Sequence, residues 1–532
     1  MSTARAGDAH LSLPVISTVD DSGAQEGEEP PHSNRDEPPS QSPRHPLWQA
    51  VPNHLWNDWR WQSQNAVRTV DQLVELLSFR NDEIEALRKL AAEYKLAIAP
   101  YYFSLIDTRD PDDPIRLQSV ASPHELRGSA ETEEDDPLDE EKDSPVKGLT
   151  HRYPDRCLLV TTHVCTMYCR FCTRKRATMK RGGWDAISRD DERMINYVRT
   201  HPEIHDVIVS GGDPLTLPLS KLKFFLENLA EIDHVGVIRL GTRVPVTLPQ
   251  RLYDQELIEV VERAQKVWIQ THFNHPREVT PESAFVCRKL LRAGCQLNNH
   301  TVLLKGVNDS VHTMRELCRA LLRSKIRPYY IFHCDPVTGA GHFRTSVWKG
   351  LEIIEGLRGH ISGLGVPTYV VDAPRGGGKI PLMPNYLVSA SNEAVVLRNY
   401  EGMLIRYNPD GRAAANTPIE TQGVSALLSG QQEVLMPENT PRILRRRAIG
   451  SAAESQASAQ VPSGEPVPAQ AMAGANGNGQ SRRNGNGASV RRNGHVSRRL
   501  HASDNAVAEI LASTVKVHKG PRSNGRRQKT AV

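Results

Sequence analysis

The sequence lacks three features that would assign a protein to a membrane, to a nucleic acid or to the cell exterior. None of its 532 residues lie in an apolar run long enough to span a bilayer, and no secretion signal is recognisable. The formal net charge is only +4, so no global electrostatic partner is implied. Eight cysteines in so long a chain do not form a disulfide framework. We therefore expect a cytoplasmic protein with no membrane partner and no nucleic-acid partner.

The two ends of the chain also lack the apolar residues that a folded core requires. Residues 1–46 are rich in Pro, Ser, Asp and Glu, whereas residues 441–532 are a basic, low-complexity stretch of Gly, Asn, Ser, Ala and Arg. Such compositions bury too little surface to offset the entropy of ordering, so both ends are predicted to be disordered. A contact between the basic tail and nucleic acid is the alternative, and a solvated tail is favoured.

Between these ends the pattern of apolar residues divides the chain into four segments. Residues 47–105 have helical periodicity and predict a helical N-terminal domain, which we interpret as scaffold. Residues 106–150 form an acidic linker, and its acidic run at residues 131–142 is expected to be a solvated loop. Residues 151–380 contain the main repeating pattern, and residues 381–440 predict a short β-rich C-terminal extension.

Apolar strands alternate with helical stretches throughout the main pattern. This alternation predicts a parallel sheet, open or closed into a barrel, with the chemistry gathered at the carboxyl ends of the strands. Polar clusters stand at those strand ends. The predicted strands span residues 157–162, 206–210, 235–240, 267–271, 296–303, 326–332 and 367–371. The predicted helices span residues 190–200, 219–231, 254–264, 281–293, 311–323 and 348–358.

Three cysteines stand close together after the first of these strands. Cys165, Cys169 and Cys172 have the spacing C-x3-C-x2-C, with an aromatic residue before the last cysteine. Three thiolates can hold three irons of a [4Fe–4S] cluster and leave the fourth iron open, because full protein ligation needs four. A structural zinc site would need a fourth ligand, for which His163 is near enough, and no second cysteine pair follows. The spacing favours an iron–sulfur cluster over zinc or three unrelated thiols.

This cysteine spacing resembles that of the radical S-adenosylmethionine (SAM) enzymes. The run Thr-His-Arg-Tyr-Pro-Asp-Arg at residues 150–156, followed by the cysteine motif, resembles the lysine 2,3-aminomutase family in particular. The resemblance extends from about residue 47 to about residue 410. It implies an α/β fold built on a partial, crescent-shaped (β/α)6 barrel that holds a [4Fe–4S] cluster and SAM.

Two polar clusters match cofactor contacts in that family. The run Ser210, Gly211, Gly212 and Asp213 follows an apolar strand, and its glycines would let a ligand approach the backbone closely. The resemblance implies that this run contacts the amino group of SAM. His272, in the cluster after the fourth strand, is taken as a further cofactor ligand.

A glycine-rich run near the end of the main pattern leads to Lys379. It fails the phosphate-loop pattern, which needs Gly and Ser or Thr where Ala373 and Ile380 stand. A lysine on a flexible glycine-rich loop can instead form a Schiff base with an aldehyde such as pyridoxal phosphate (PLP). The family resemblance implies that Lys379 has this role. It also implies that the phosphate of PLP is contacted by Arg152, Tyr153 and Arg156.

The resemblance assigns three further charged residues to the substrate. Arg174 matches the arginine that holds the carboxylate of lysine, and Asp335 and Asp372 match the carboxylates that hold its distal ammonium. Two carboxylates at that position would repel an anionic side chain, which disfavours glutamate. The implied activity is that of an isomerase, L-lysine 2,3-aminomutase, which interconverts L-lysine and β-lysine. The alternatives are arginine or a related amino acid as substrate and, outside enzymes, an iron–sulfur electron-transfer protein.

One departure from the family concerns subunit assembly. Family members carry a structural zinc between subunits, bound partly by a cysteine that follows Gly-Val-Asn-Asp. Here Ser310 follows Asp309 and no cysteine follows Cys334, so this zinc site is expected to be absent. The resemblance still implies a homo-oligomer, with reduced flavodoxin or ferredoxin as the electron donor.

Overall fold

We describe the protein from a computed structural model, for residues 38–39, 42–128, 133–181, 190–390, 395–407 and 444–449. Most of the two predicted disordered ends, and residues 408–440 of the predicted C-terminal extension, lie outside the described residues. Residues 42–46 are described and contact the rest of the protein, contrary to the expected disorder. The backbone N–H of His45, for example, donates to the Ser104 hydroxyl at 3.0 Å.

Short helices form the N-terminal region, as the periodicity predicted. Thr69 caps the third helix, because its hydroxyl accepts from the Gln72 N–H at 3.2 Å while the Gln72 side chain accepts from the Thr69 N–H at 3.1 Å. Arg80 occupies the N-cap position of the fourth helix, and Asn81 is its first helical residue. The helices are α1 (Asn53–Trp56), α2 (Trp59–Gln64), α3 (Val70–Leu76), α4 (Asn81–Glu93), α5 (Pro100–Phe103) and α6 (Pro114–Ser119).

Nine strands form one sheet in which spatial order follows chain order. The strands are β1 (Leu149–Tyr153), β2 (Arg156–Thr162), β3 (Asp206–Gly211), β4 (Val237–Gly241), β5 (Val267–Thr271), β6 (Gln296–Leu303), β7 (Arg327–His333), β8 (Thr368–Ala373) and β9 (Gly378–Leu382). Strands β2 to β8 are parallel, whereas β1 and β9 pair antiparallel at the two edges. The described strands therefore form a partial barrel, which confirms the predicted fold class.

Side-chain alternation along the strands separates the core from a central cavity. In β3, Val207 and Val209 are fully buried in the main core, while Ile208 and Ser210 line the cavity. Burial of each such aliphatic side chain contributes about 1.5–3 kcal/mol. The pattern therefore fixes which face of the strand packs in the core and which face lines the cavity. The remaining helices are α7 (Lys175–Thr178), α8 (Asp191–Thr200), α9 (Leu219–Ala230), α10 (Val244–Thr247), α11 (Gln255–Arg263), α12 (Pro281–Arg292), α13 (Val311–Arg323) and α14 (Val347–Leu357).

The last strand of this sheet corrects one expectation. Lys379 lies in β9 and not on a flexible glycine-rich loop. Strand β9 pairs with β8 so that Lys379 is opposite Asp372. The turn between them needs left-handed backbone at Arg375, Gly376 and Gly378, with φ of 57°, 69° and 81°. Glycine adopts this conformation without strain, so the glycines form a tight hairpin turn.

The acidic run is not a solvated loop, which is a second correction. We call residues 133–144 the acidic strap. Within it Leu138, Asp139 and Asp143 are buried. The Asp143 carboxylate accepts from Arg152 Nε of β1 at 3.0 Å. Carboxylates of the strap have arginine partners on the barrel, and these pairings override the exposure that composition alone predicts.

The acidic strap also binds the loops that follow two barrel strands. The Glu134 N–H donates to the Pro336 carbonyl at 2.9 Å, in the loop after β7. The Arg375 N–H donates to the Pro137 carbonyl at 3.0 Å, in the turn before β9. The strap therefore lies across the carboxyl-terminal side of the sheet, where the polar clusters stand.

Six residues of the predicted disordered tail are helical and docked, which is a third correction. Residues 444–449 form this helical segment. Arg446 Nε donates to Asp143 of the acidic strap at 2.6 Å, and Arg445 Nη2 donates to the Arg152 carbonyl at 3.1 Å. The basic composition suggested a solvated tail, but Arg446 of this tail is a partner of the acidic strap.

A separate antiparallel sheet follows the barrel and confirms the predicted β-rich extension. Its strands are β10 (Leu387–Ala390), β11 (Val395–Arg398) and β12 (Leu404–Tyr407). Several apolar side chains on it are exposed, among them Leu387, Leu404 and Tyr407.

Candidate active site

A cavity of about 440 Å³ opens among the strand ends and is lined by nearly all the predicted site residues. The predicted residues that line it are Tyr153, Arg156, Cys165, Cys169, Cys172, Arg174, Ser210, Gly211, Gly212, Asp213, His272, Asp335, Asp372 and Lys379. Arg152 does not line the cavity. Its guanidinium is bound by Asp143 and by the Leu138 carbonyl.

The cysteine loop is held by buried charges. Arg170, inside the motif, donates to Glu125 from Nε at 2.8 Å and from Nη2 at 2.6 Å, and Lys175 Nζ donates to the same carboxylate at 2.7 Å. Burial would raise the pKa of Glu125, but the two cations outweigh it and lower the pKa to about 2. Glu125 is therefore ionised at neutral pH and fixes the cysteine loop to the N-terminal region.

The three cysteines fit a group that supplies positive charge. Burial raises the pKa of Cys165 and of Cys172, so these thiols do not ionise readily alone. A bound iron would make the thiolate the stable form. Among the described residues, no three His, Cys, Asp or Glu side chains converge to hold a single metal ion. A four-iron cluster is larger than one ion and is held by thiolates that stand apart.

Arg243, after β4, links the cysteine loop to the N-terminal region. Its Nη1 donates to Cys169 Sγ at 2.9 Å. Its Nη2 donates to Gln118 at 2.6 Å and to Glu278 at 2.7 Å. The segment predicted as an acidic linker, residues 106–150, therefore supplies Gln118 of α6 to this buried network. Strand-end position predicted a polar residue here, but nothing local in the sequence predicted its cysteine partner.

The two glycines at the end of β3, Gly211 and Gly212, allow close packing between two segments of the protein backbone. A Cβ at Gly212 would lie 2.3 Å from the Val164 carbonyl, and one at Gly211 would lie 2.3 Å from the Thr162 carbonyl. The glycines thus let this loop lie against the segment that leads into Cys165. We had expected these glycines to let a ligand approach the backbone closely. The contact that requires glycine is instead with the protein's own backbone. The loop still lines the cavity next to the cysteines.

Asp213 is occupied by protein groups. Its Oδ1 accepts from the Thr242 hydroxyl at 2.7 Å and its Oδ2 accepts from the Arg243 N–H at 2.7 Å. Burial raises its pKa to about 6. His272 lies nearby on the cavity wall, packed edge-on against Phe171, and its Nε2 has no hydrogen-bond partner among the described residues. Burial lowers the pKa of His272 well below its ordinary value, so the ring is neutral.

Lys379 faces a carboxylate across the β8–β9 pair. Its Nζ donates to Asp372 Oδ2 at 2.9 Å. Asp372 is buried, and its Oδ1 has no hydrogen-bond partner among the described residues. The Tyr153 hydroxyl accepts from the Lys379 N–H at 2.9 Å, and Arg156 stacks on the Tyr153 ring at 4.7 Å. One unpaired carboxylate oxygen therefore remains beside an amine in the cavity.

Asp335, in the loop after β7, is a second, half-buried carboxylate of the same region. Its Oδ2 accepts from the Thr173 hydroxyl at 2.6 Å. Burial and the nearby charge of Asp372 raise its pKa to about 7, although the Thr173 hydrogen bond opposes the change. Burial and the like charge of Asp372 therefore outweigh the nearby positive charge of Lys379, which lowers the pKa of Asp335.

Arg174 also lines the cavity, and its partner is Glu140 of the acidic strap. Arg174 Nε lies 3.1 Å from each carboxylate oxygen of Glu140, and Nη2 lies 2.8 Å from Oε1. The prediction of a solvated acidic run missed Glu140. Only its place in a run of charges was visible in the sequence, and this signal does not distinguish a buried carboxylate from an exposed one.

Comparison with known proteins agrees with this arrangement. The family descriptions "Radical SAM superfamily" and "Lysine-2,3-aminomutase" match residues 159–318 and residues 354–461. The L-lysine 2,3-aminomutase of Clostridium subterminale is 46% identical over 75% of this chain and 97% of its own length. That of Bacillus subtilis is 45% identical over 76% of this chain and 88% of its own. The glutamate 2,3-aminomutase of Clostridioides difficile is 45% identical over 66% of this chain and 82% of its own.

Across the described ranges, no helix has both the length and the apolar character needed to cross a bilayer. The cysteine motif, the partial barrel and the extent of these similarities lead to one assignment. The chain belongs to the lysine 2,3-aminomutase family of the radical SAM superfamily.

Proposed function

We propose that the protein is an L-lysine 2,3-aminomutase, which moves the amino group of L-lysine between C2 and C3 to interconvert it with β-lysine. The observation that carries the proposal is the set of charges on the cavity wall. Two carboxylates, the buried Asp372 and the half-buried Asp335, suit the side-chain ammonium of lysine, and Arg174 suits its α-carboxylate. Identity alone does not choose the substrate, since a glutamate 2,3-aminomutase is also 45% identical.

The carboxylate pair supports a cationic side chain over an anionic one. A glutamate side chain placed there would add a third negative charge to a buried site, which is strongly unfavourable. An ammonium would offset one of the two negative charges and satisfy Asp372 Oδ1, which has no partner among the described residues. Arg174 gives the opposite charge for the α-carboxylate, so the two binding groups fix the direction in which the substrate lies.

Lys379 is the proposed attachment point of PLP. Its Nζ now forms an ion pair with Asp372 and stands where a substrate ammonium would bind. Attachment to PLP would withdraw this amine from Asp372 and leave the carboxylate for the substrate. Tyr153 and Arg156 line the same cavity and support a phosphate contact. Arg152 would have to leave Asp143 to join them.

Membership of the radical SAM superfamily implies a [4Fe–4S] cluster and SAM. When bound, these groups supply a radical that removes hydrogen, and PLP supplies the conjugated system on which the amino group migrates. The proposed task of the chain is to hold these reactants. Cys165, Cys169 and Cys172 would bind the cluster, the loop after β3 would hold SAM, and His272 offers an unpaired nitrogen. Burial of the site excludes water that would quench a radical.

A substrate test on anaerobic, reconstituted protein examines the proposal. The protein, with iron, sulfide, PLP, SAM and a chemical reductant, is incubated with lysine, arginine or glutamate, and products are separated by chromatography. We expect β-lysine from lysine and little product from glutamate. Lys379→Ala should lose turnover, because the amine that binds PLP is removed. Full turnover by this variant, or product from glutamate in place of lysine, would overturn the proposal.

We further propose a cytoplasmic homo-oligomer that takes its electron from reduced flavodoxin or ferredoxin. The exposed apolar side chains of β10 to β12 support burial against another subunit. All eight cysteines are unpaired, which suits a reducing compartment. Ser310 stands at the position where the resemblance led us to look for an interface cysteine. Its hydroxyl caps α13 by accepting from the Thr313 N–H at 3.0 Å.

A further inference from the structure

Arg174 and Glu140 form a side-on ion pair that uses one edge of the guanidinium. The Nε–H and one N–H of Nη2 point to the carboxylate, at 2.8–3.1 Å. A guanidinium has five donors in a rigid plane, so a second, outer edge is left, formed by Nη1 and the other N–H of Nη2. Within the described ranges, the guanidinium of Arg174 has no other hydrogen-bond partner. The outer edge is therefore available to a second anion in the cavity that both residues line.

Glu140 is itself held firmly by the acidic strap. Its N–H donates to Asp136 Oδ1 at 3.1 Å, and its carbonyl accepts from the Ser144 hydroxyl at 2.9 Å. Arg176 Nη2 lies 4.0 Å from the second carboxylate oxygen. A carboxylate with a fixed backbone and cations on two sides loses little freedom when it binds an arginine.

Glu140 is charged despite its burial. Burial alone would raise its pKa, but the charge of Arg174 outweighs this effect and lowers it. Burial would likewise lower the pKa of Arg174, yet Glu140 raises it. The pair is thus a half-buried, ionised pair in which the charge of each partner compensates the desolvation of the other.

We propose that Glu140 is a positioning residue for substrate recognition: it holds Arg174 by the Nε edge so that the outer edge can bind the α-carboxylate of the amino acid. This inference rests on the proposed function, because it takes Arg174 as the carboxylate ligand. Without Glu140 the long Arg174 side chain would sample several rotamers, and ordering it would weaken every carboxylate contact. Through Arg174, Glu140 then affects binding of the substrate's carboxylate and not binding of its side chain.

The test compares two ligands that differ by the carboxylate alone. PLP-loaded protein, without SAM or reductant so that nothing turns over, is titrated with lysine and with 1,5-diaminopentane, and binding is followed by the visible absorbance of PLP. Glu140→Gln should weaken lysine binding by about 10- to 100-fold, since a charge-assisted pair is lost. Binding of 1,5-diaminopentane should be unchanged. The matched control is Glu141→Gln in the same strap, whose carboxylate pairs with Arg176 at 3.3 Å and is largely exposed.

A double-mutant cycle separates positioning from folding. Arg174→Gln should lose the preference for lysine over 1,5-diaminopentane, and Glu140→Gln combined with it should cause no further loss. Equal weakening of both ligands by Glu140→Gln, or an undiminished preference for lysine, would overturn the positioning role while wild-type turnover of lysine stands. A wild-type protein whose PLP absorbance does not respond to lysine would overturn the proposed function and this inference together. Thermal unfolding of each variant verifies that it is folded.

Discussion

The cavity joins two regions that are built in different ways. The cysteine region, Cys165 to Cys172, is one loop after β2, so its chemistry is local in sequence. The charged region consists of Glu140, Arg174, Asp335, Asp372 and Lys379, which come from the acidic strap, the loop after β2 and the strands β7 to β9. Residues far apart in the chain must converge to make it. The cysteine region should therefore depend on its own ligands, and the charged region on the packing that assembles it.

The largest expected effect is the loss of one cysteine ligand. Cys172→Ala should abolish cluster binding and turnover, because two thiolates cannot hold three irons. The charged region should be intact, so PLP should still attach to Lys379 and respond to lysine. Iron and sulfide analysis, turnover and PLP absorbance measure the two regions separately.

Cys318→Ala is the control for removal of a cysteine, since Cys318 is buried in α13 away from the cavity. It should retain iron and turnover. Wild-type turnover by Cys172→Ala, or a single zinc per chain in the reconstituted wild type, would contradict the separation of the two regions.

An intermediate effect on lysine binding is expected from pH, through Asp335 of the charged region. The pKa of Asp335 is raised to about 7, so below that pH its carboxyl is protonated and cannot attract an ammonium. The lysine side chain, with a pKa of about 10.4, stays charged. Affinity for lysine should therefore fall as the pH decreases, approaching about tenfold per pH unit below the pKa of Asp335. Titration of PLP-loaded protein with lysine at several pH values measures this.

The same raised pKa has the opposite consequence for folding. The folded state binds the Asp335 proton more tightly than the unfolded state, whose pKa is about 3.9. The contribution of Asp335 to the free energy of unfolding therefore falls as the pH rises from about 4 to about 7. Asp335→Asn should remove both pH dependences relative to wild type. If the variant retains the wild-type pH profile of lysine affinity, another group is responsible.

The smallest expected effect comes from the contact that ties the acidic strap to the tail. Arg446→Ala removes an arginine that donates to the buried Asp143 carboxylate, which also accepts from Arg152. A charged hydrogen bond of this kind contributes about 1.5–3 kcal/mol, so the free energy of unfolding should fall by about that amount. Chemical denaturation measures it. The iron content should not change, because the acidic strap supplies none of the proposed cysteine ligands.

Arg447→Ala is the matched control, since Arg447 is exposed in the same helical segment. Its stability should equal that of wild type. Equal losses in both variants would indicate a general effect of charge in the tail and not the contact with Asp143.

The contrast also explains what the sequence could reveal. Strands of the barrel were predicted because buried parallel strands are continuous apolar runs, and the cysteines because their spacing is local. Lys379 was predicted from its glycine-rich run together with the family resemblance, but its place in a strand opposite Asp372 depends on β8–β9 pairing. Glu140 and Arg446 were missed for one physical reason: a charge run has no local feature that distinguishes solvent from a partner across the fold. Arg243 was missed as the donor to Cys169 for the same reason.

In the hairpin formed by β8 and β9, the number of residues between Asp372 and Lys379 decides where the lysine amine lies. Successive side chains of a strand project to opposite faces, and Lys379 shares a face with Asp372 because residues 374–377 set the register. Loss or gain of one residue there would turn the amine away from the cavity without changing a single side chain of the site. The placement of the lysine amine therefore depends on the number of residues in this turn as well as on the identities of Asp372 and Lys379.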